Sequence, residues 1–178
     1  ADYGSYIWPS ALVLAAYIHH CRHRFAGTRV IELGCGTGLP GLLAAKVGAA
    51  QVLLTDAPIF AHVLDNANVA VTMNGLDGVC DVQGVPWGVF PPLPPAPAST
   101  MANSVMDSIL EEESPRSEHS FDFIIGADVF YEPASFDDLL ATVAYILMHS
   151  LSTAEFITAY QERSSRRTIQ HLLDKWGL

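Results

Sequence analysis

Basic residues are scarce in this chain: nine Lys and Arg stand against nineteen Asp and Glu, a formal charge of −10. Phosphate recognition needs clustered Lys and Arg, so direct nucleic-acid binding is not expected. An acidic surface favours basic ligands or peptides, although many acidic proteins simply stay soluble this way. Charge of either sign is sparse too, at 16%, while half the residues are hydrophobic. That balance excludes disorder for most of the chain. Yet no apolar run approaches the roughly 20 residues that cross a bilayer, and no membrane partner is expected. Cysteine is equally thin. Cys21, Cys35 and Cys80 are scattered and odd in number, which suits a reducing compartment and argues against a disulfide framework. The first residues, ADYGSYIWPS, lack the basic start of a signal peptide; with no Met at position 1, an upstream leader stays open. No internal repeat is visible.

At 178 residues the chain fits a single domain, 1–178, with a sizeable core. An apolar segment opened by Pro9 predicts a helix closed by Gly27, with Arg22 and Arg24 complementing the negative end of its dipole. A strand follows over 28–34, a helix over about 38–47, and a second strand over 50–56. Residues 58–73 read as a helix stopped by the Asn74-Gly75 pair, and 79–88 as a weaker third strand. Composition then shifts. Residues 89–120 are rich in Pro, Ser and Glu and predict a flexible insertion, with a short helix around SVMDSIL. PPLPPAP could serve as a polyproline ligand, but a tolerated surface insertion is the plainer reading. Order resumes with a buried-type strand over 121–130 and a helix over about 134–149, for which Ser135 suits the N-cap and Asp137 and Asp138 the first turn. A fifth strand over 154–162 and a last helix complete the series. Strands alternating with helices predict a doubly wound α/β fold: a mostly parallel sheet covered on both faces.

The chemistry concentrates after the first strand, in Glu32-Leu33-Gly34-Cys35-Gly36-Thr37-Gly38. Glycines there permit a tight turn, let a ligand approach the backbone and leave helix-terminal N–H groups facing it. A dinucleotide fingerprint wants glycine at 39, where this chain has Leu39. A phosphate-binding Walker loop would need Gly-Lys-Ser/Thr at the helix start, and it is missing. Topology alone places Asp56, Trp87, Asp128 and Tyr131 at the carboxyl ends of strands, where doubly wound sheets hold ligands. His19 and His23 share a helix face, but without a third convergent ligand no metal site is expected.

The E-x-G-x-G-x-G pattern resembles motif I of the class I, seven-strand S-adenosylmethionine methyltransferases. With YGSYIWPSA, VPWG and Asp128-Val129-Phe130-Tyr131, the chain resembles the family-16 protein methyltransferases over nearly its whole length outside 89–120. That resemblance implies a Rossmann-like core, S-adenosylmethionine as cofactor and a protein substrate in the cytoplasm and nucleus. Histone arginine is the acceptor it suggests, histone H3 the histone, and lysine stays open. It further implies that Trp8 lines the cofactor entrance and that Gly34, Gly36 and Gly38 form the backbone cradle. Glu32 would reach the methionine ammonium, Asp56 would hold the ribose and Trp87 would pack on adenine. Asp128 and Tyr131 would face the methyl group and the incoming nitrogen, with Glu132 as a candidate second acid. Each has a structural alternative. Asp56 or Asp128 could cap the helix that follows, Glu32 could bond nearby backbone, and Trp8 and Trp87 could be core aromatics. The resemblance also implies an antiparallel C-terminal hairpin, for which no residues remain after DKWGL. The expectation is a shortened product with an exposed fifth-strand edge. A cofactor-binding but weakly active or inactive interaction module is therefore the alternative function.

Overall fold

Successive residues of a strand point to opposite faces, and that alternation sorts the apolar runs of this chain into two cores. A computed structural model describes residues 3–90, 120–161 and 168–178. Five strands form one sheet: β1 Arg29–Leu33, β2 Gln51–Asp56, β3 Cys80–Gly84, β4 Phe123–Ala127 and β5 Glu155–Ala159. All neighbouring pairs are parallel, in the order β3-β2-β1-β4-β5. In register, Val30 stands between Val52 and Phe123. These three side chains, with Leu54 and Ile125, enter one core, which also takes Leu14, Ile18, Leu42, Ala67 and Val71. Ile31, Leu33, Leu53 and Ile124 enter the other, against Leu139, Leu140, Val143 and Ile146. Helices α1 Pro9–His20, α3 Leu39–Lys46 and α4 Ala61–Met73 thus cover one face, and α5 Phe136–Met148 and α6 Gln170–Trp176 the other. The expected doubly wound, Rossmann-like sheet is what the chain forms.

Several boundaries differ from those the sequence predicts. The first helix breaks at Cys21, leaving a one-turn α2, Arg22–Phe25. Arg24 does not simply balance a dipole: its guanidinium donates to Glu155 at the start of β5. Residues 57–60 form a turn closed by the Phe60 N–H on the Ala57 carbonyl, so α4 begins at Ala61. Strand β4 ends at Ala127 because Asp128 turns left-handed, at φ 57°. Ser135 makes no side-chain cap to α5; it ends a 3-10 turn, Pro133–Ser135, whose own cap is the Glu132 carboxylate accepting from the Ala134 N–H. The Pro-rich run and the SVMDSIL helix lie outside the described residues.

The chain order reverses between β1 and β4, where β2 and β3 lie to one side and β5 to the other. In such sheets the crevice beyond the strand carboxyl ends at that switch point is the ligand site. Every sequence-predicted site residue except Trp8 and Glu32 lies at or just beyond a strand's carboxyl end.

Candidate active site

The turn after β1 is built of three left-handed glycines, Gly34, Gly36 and Gly38, with φ of 63°, 51° and 73°. That conformation penalises any side chain. Gly34 also lies where three strand ends meet. A Cβ there would stand 3.2 Å from both the Trp87 ring, beyond β3, and Val129 Cγ1, beyond β4. The loop is pinned by the Cys35 N–H donating to the Thr55 carbonyl at 2.8 Å and the Gly38 N–H to the Cys35 carbonyl at 2.7 Å. Burial pushes the Cys35 thiol well up, with Glu32 and Asp56 adding to the effect, so it stays a protonated core thiol rather than a nucleophile.

Two acids hold this loop from below. Asp56, at the end of β2, accepts from the Gly36 N–H at 2.9 Å with one carboxylate oxygen and from the Ala57 N–H at 2.8 Å with the other. It does not cap α4. Each oxygen retains a lone pair, so a ribose hydroxyl can be added without breaking either bond. Glu32 is only 1% exposed, and its Oε2 accepts from the Gly41 N–H of α3 at 2.9 Å. Burial pushes the Glu32 carboxyl up to about 8, the Gly41 N–H pulls the other way, and Asp56 raises it further.

This arrangement decides which cofactor class fits. A pyrophosphate docks on the free N–H groups of a helix N-terminus. Here Pro40, in the first turn of α3, has no N–H, and the Gly41 N–H is taken by an internal carboxyl group. With no basic side chain in the loop either, the turn offers few donors to a diphosphate. Bare backbone above a carboxylate suits a ribose and a cationic amino-acid moiety, as in S-adenosylmethionine.

The Glu32 shift also predicts a pH dependence. The folded carboxyl binds its proton more tightly than the unfolded one, so its contribution falls as pH rises from about 4.5 to about 8 and is level above that. Chemical denaturation across that range should show this slope in the wild-type protein and a flatter one in Glu32→Gln. Equal slopes would place the burial elsewhere.

Trp87 is half-buried and fixed through its neighbour: the Gly88 N–H donates to Thr142 Oγ1 of α5 at 2.9 Å. Gly88 itself is left-handed, at φ 75°, and a Cβ there would come within 2.7 Å of Asp138 Oδ1, so a side chain is disfavoured at this corner. Trp8 precedes α1 in extended conformation and meets the Tyr6 ring edge-on, centroids 5.1 Å apart. The same segment crosses the glycine loop, since a Cβ at Gly36 would lie 3.2 Å from the Gly4 carbonyl oxygen.

Opposite the cofactor loop stands the β4 terminus. Asp128 is buried and the one non-glycine among the described residues with positive φ. Its N–H donates to the Ala159 carbonyl at 2.7 Å, which ties the turn to β5. A strained backbone of this kind persists when surrounding structure holds it, and such positions gather at functional sites. Asp128 does not cap the helix that follows. Tyr131 is half-exposed; its phenol is pushed up by burial, then by Asp56 and Glu132. It therefore lies in the field of the cofactor-side acid as well as beside its own strand end. Glu132 is exposed and engaged as a turn cap, away from the role of second acid. Among the described residues no group of three His, Cys, Asp or Glu converges as a metal cage.

A family model described as lysine methyltransferase, methyltransferase family 16, matches residues 1–172. The chain belongs to this family. Histone-arginine methyltransferase METTL23 of Xenopus laevis is 40% identical over 99% of this chain and 65% of its own length. The Homo sapiens protein of the same name is 34% identical over 97% of this chain and 78% of its own. The chain thus spans slightly less than two thirds of the Xenopus relative. Among solved structures, a chain of the Trypanosoma brucei PRMT1 enzyme-prozyme complex with AdoHcy aligns with a TM-score of 0.58 at 18% identity, covering 83% of this chain and 38% of that one. That likeness shows the shared fold.

Two residues near this candidate site have no role in the sequence reading. Gly41 sits inside α3, where a Cβ would meet Leu54 Cδ2 at 2.3 Å and Glu32 Oε2 at 2.5 Å. A glycine within a helical pattern is the available signal, since it costs helix stability and so implies close packing. Tyr160 follows β5 beside the Asp128 turn; only the completed topology brings it there.

Proposed function

We propose that this chain is an S-adenosylmethionine-dependent protein methyltransferase that acts on histone arginine, histone H3 included, in the cytoplasm and nucleus. The observation that carries the reading is Gly34: its missing side chain is where the cofactor loop, Trp87 and the Asp128 turn converge. Donor and acceptor sites then share one crevice. The family assignment and the names of its relatives support protein methylation and an arginine acceptor.

S-adenosylmethionine, when bound, supplies a methyl group on a sulfonium for in-line displacement. The chain's residues do the positioning, which can account for much of the acceleration in such a transfer. Gly34, Gly36 and Gly38 and the Asp56 carboxylate hold the donor, Trp87 covers the adenine side, and Trp8 borders the entrance. Asp128 accepts a hydrogen bond from the acceptor N–H, turns the nitrogen lone pair toward the methyl group and receives the proton released on transfer. The Tyr131 hydroxyl, kept neutral, offers a donor at the rim of the same pocket. The acidic balance of the chain favours a basic protein substrate.

Calorimetry with S-adenosylmethionine and its demethylated product, paired with labelled-methyl transfer to core histones, tests this reading. Saturable one-to-one binding with label on histone is the expected result. Binding without transfer would replace the reading with a cofactor-binding interaction module. Absence of binding would overturn it.

A further inference from the structure

Strands β4 and β5 remain tied beyond their last paired residues. Ala127 and Ala159 are register partners, and the next residue, Asp128, donates its N–H to the Ala159 carbonyl. Tyr160 therefore follows directly on the residue that anchors the Asp128 backbone. Its side chain is 44% exposed, yet its orientation is constrained. The ring meets Phe130 edge-on, with centroids 5.3 Å apart and planes at 62°, and buried Phe130 meets Phe136 in turn at 5.3 Å and 84°. Tyr131, 50% exposed, adjoins the same Phe130 in sequence. The Tyr160 ring is thus braced on a buried phenylalanine at the strand end that carries the acid, and half-exposed Tyr131 follows that phenylalanine in the chain. The segment from Asp128 to Glu132 bears two carboxylates and no cation.

Partly exposed aromatic rings braced by a buried one form a preorganised surface for a flat cation. Guanidinium groups stack on such rings and present in-plane N–H groups to a carboxylate, whereas an ammonium is a compact, more strongly hydrated charge. We propose that Tyr160 is a specificity-determining residue of the acceptor site, forming with Tyr131 an aromatic wall that stacks on the guanidinium presented to Asp128. The inference rests on the methyltransferase reading above and deepens it.

The test uses the full chain, an arginine-containing histone H3 tail peptide, and the same peptide with the target arginine changed to lysine. Tyr160→Leu keeps apolar bulk against Phe130 without a π face; Tyr160→Phe keeps the face without the hydroxyl. For Tyr160→Leu, KM for the arginine peptide should rise about fivefold or more, with kcat within about twofold and S-adenosylmethionine affinity unchanged. Anisotropy of the labelled peptide on protein saturated with S-adenosylhomocysteine should show the same loss of affinity. Discrimination against the lysine peptide should narrow, and Tyr160→Phe should behave as the wild-type protein. An active wild-type chain with Tyr160→Leu unchanged in KM and peptide affinity overturns this inference alone. Equal losses in the Leu and Phe variants overturn it too. A wild-type chain that neither binds nor methylates the peptide overturns it together with the reading on which it rests.

Discussion

Asp128→Asn is expected to lower methyl transfer to an arginine acceptor roughly 100-fold or more, while S-adenosylmethionine affinity changes less than about threefold. The substitution is chosen for the backbone. Asp128 holds φ 57°, and Asn tolerates the left-handed region at least as well as Asp. Its N–H can still donate to Ala159, so the turn between β4 and β5 should survive. What disappears is a buried carboxyl group, the one proposed to orient the acceptor and take up its proton. Asp128→Ala, by contrast, adds backbone strain on the order of 1–2 kcal/mol to the same chemical loss, so part of its deficit is stability. Single-turnover rates and calorimetry on the Asn variant separate the two effects. Undiminished transfer would remove Asp128 from the chemistry.

Gly41→Ala should damage the fold of the cofactor half. Helix propensity alone favours alanine by about 1 kcal/mol. Packing reverses the sign. The new Cβ would lie 2.3 Å from Leu54 Cδ2 and 2.5 Å from Glu32 Oε2. Leu54 and Glu32 are both almost wholly buried, so neither can swing into solvent. Overpacking a core costs about 1–3 kcal/mol, and displacing Glu32 from the Gly41 N–H adds about 1–3 kcal/mol for buried polar groups left unmatched. The net destabilisation is about 1–5 kcal/mol, a fall in Tm of roughly 2–20 °C. A thermal scan of the purified variant measures it directly. A variant as stable as the wild-type protein would mean that α3 does not lie on β1 and β2 as described.

The sequence made the sheet and its helices legible because strands buried on both faces read as continuous apolar runs. FIIGA could hardly be placed otherwise, and RVIEL departs from such a run only at Arg29 and Glu32. The cofactor cradle was legible because glycine spacing and strand-end acids have direct backbone consequences. Boundaries were less so. The end of β4 is set by a left-handed Asp128 that leaves no compositional mark, and Ser135 suited a cap that Glu132 supplies elsewhere. Glu32 shows a further limit. An acid ahead of a glycine loop is visible in sequence, but its bond to the Gly41 N–H depends on how closely α3 approaches β1. Tyr160 was hidden for the same reason: it lies 32 residues beyond Asp128 in sequence, and only the β4–β5 register brings the two together.

One measurement tests most directly whether a single crevice serves both donor and acceptor. Histone H3 incubated with this chain and S-adenosylmethionine carrying an isotopically heavy methyl group can be mapped by tandem mass spectrometry. Heavy methyl groups on arginine side chains, lost with Asp128→Asn, are the predicted result. Heavy methyl confined to lysine, or a histone left unlabelled by a chain that binds the cofactor, would contradict it.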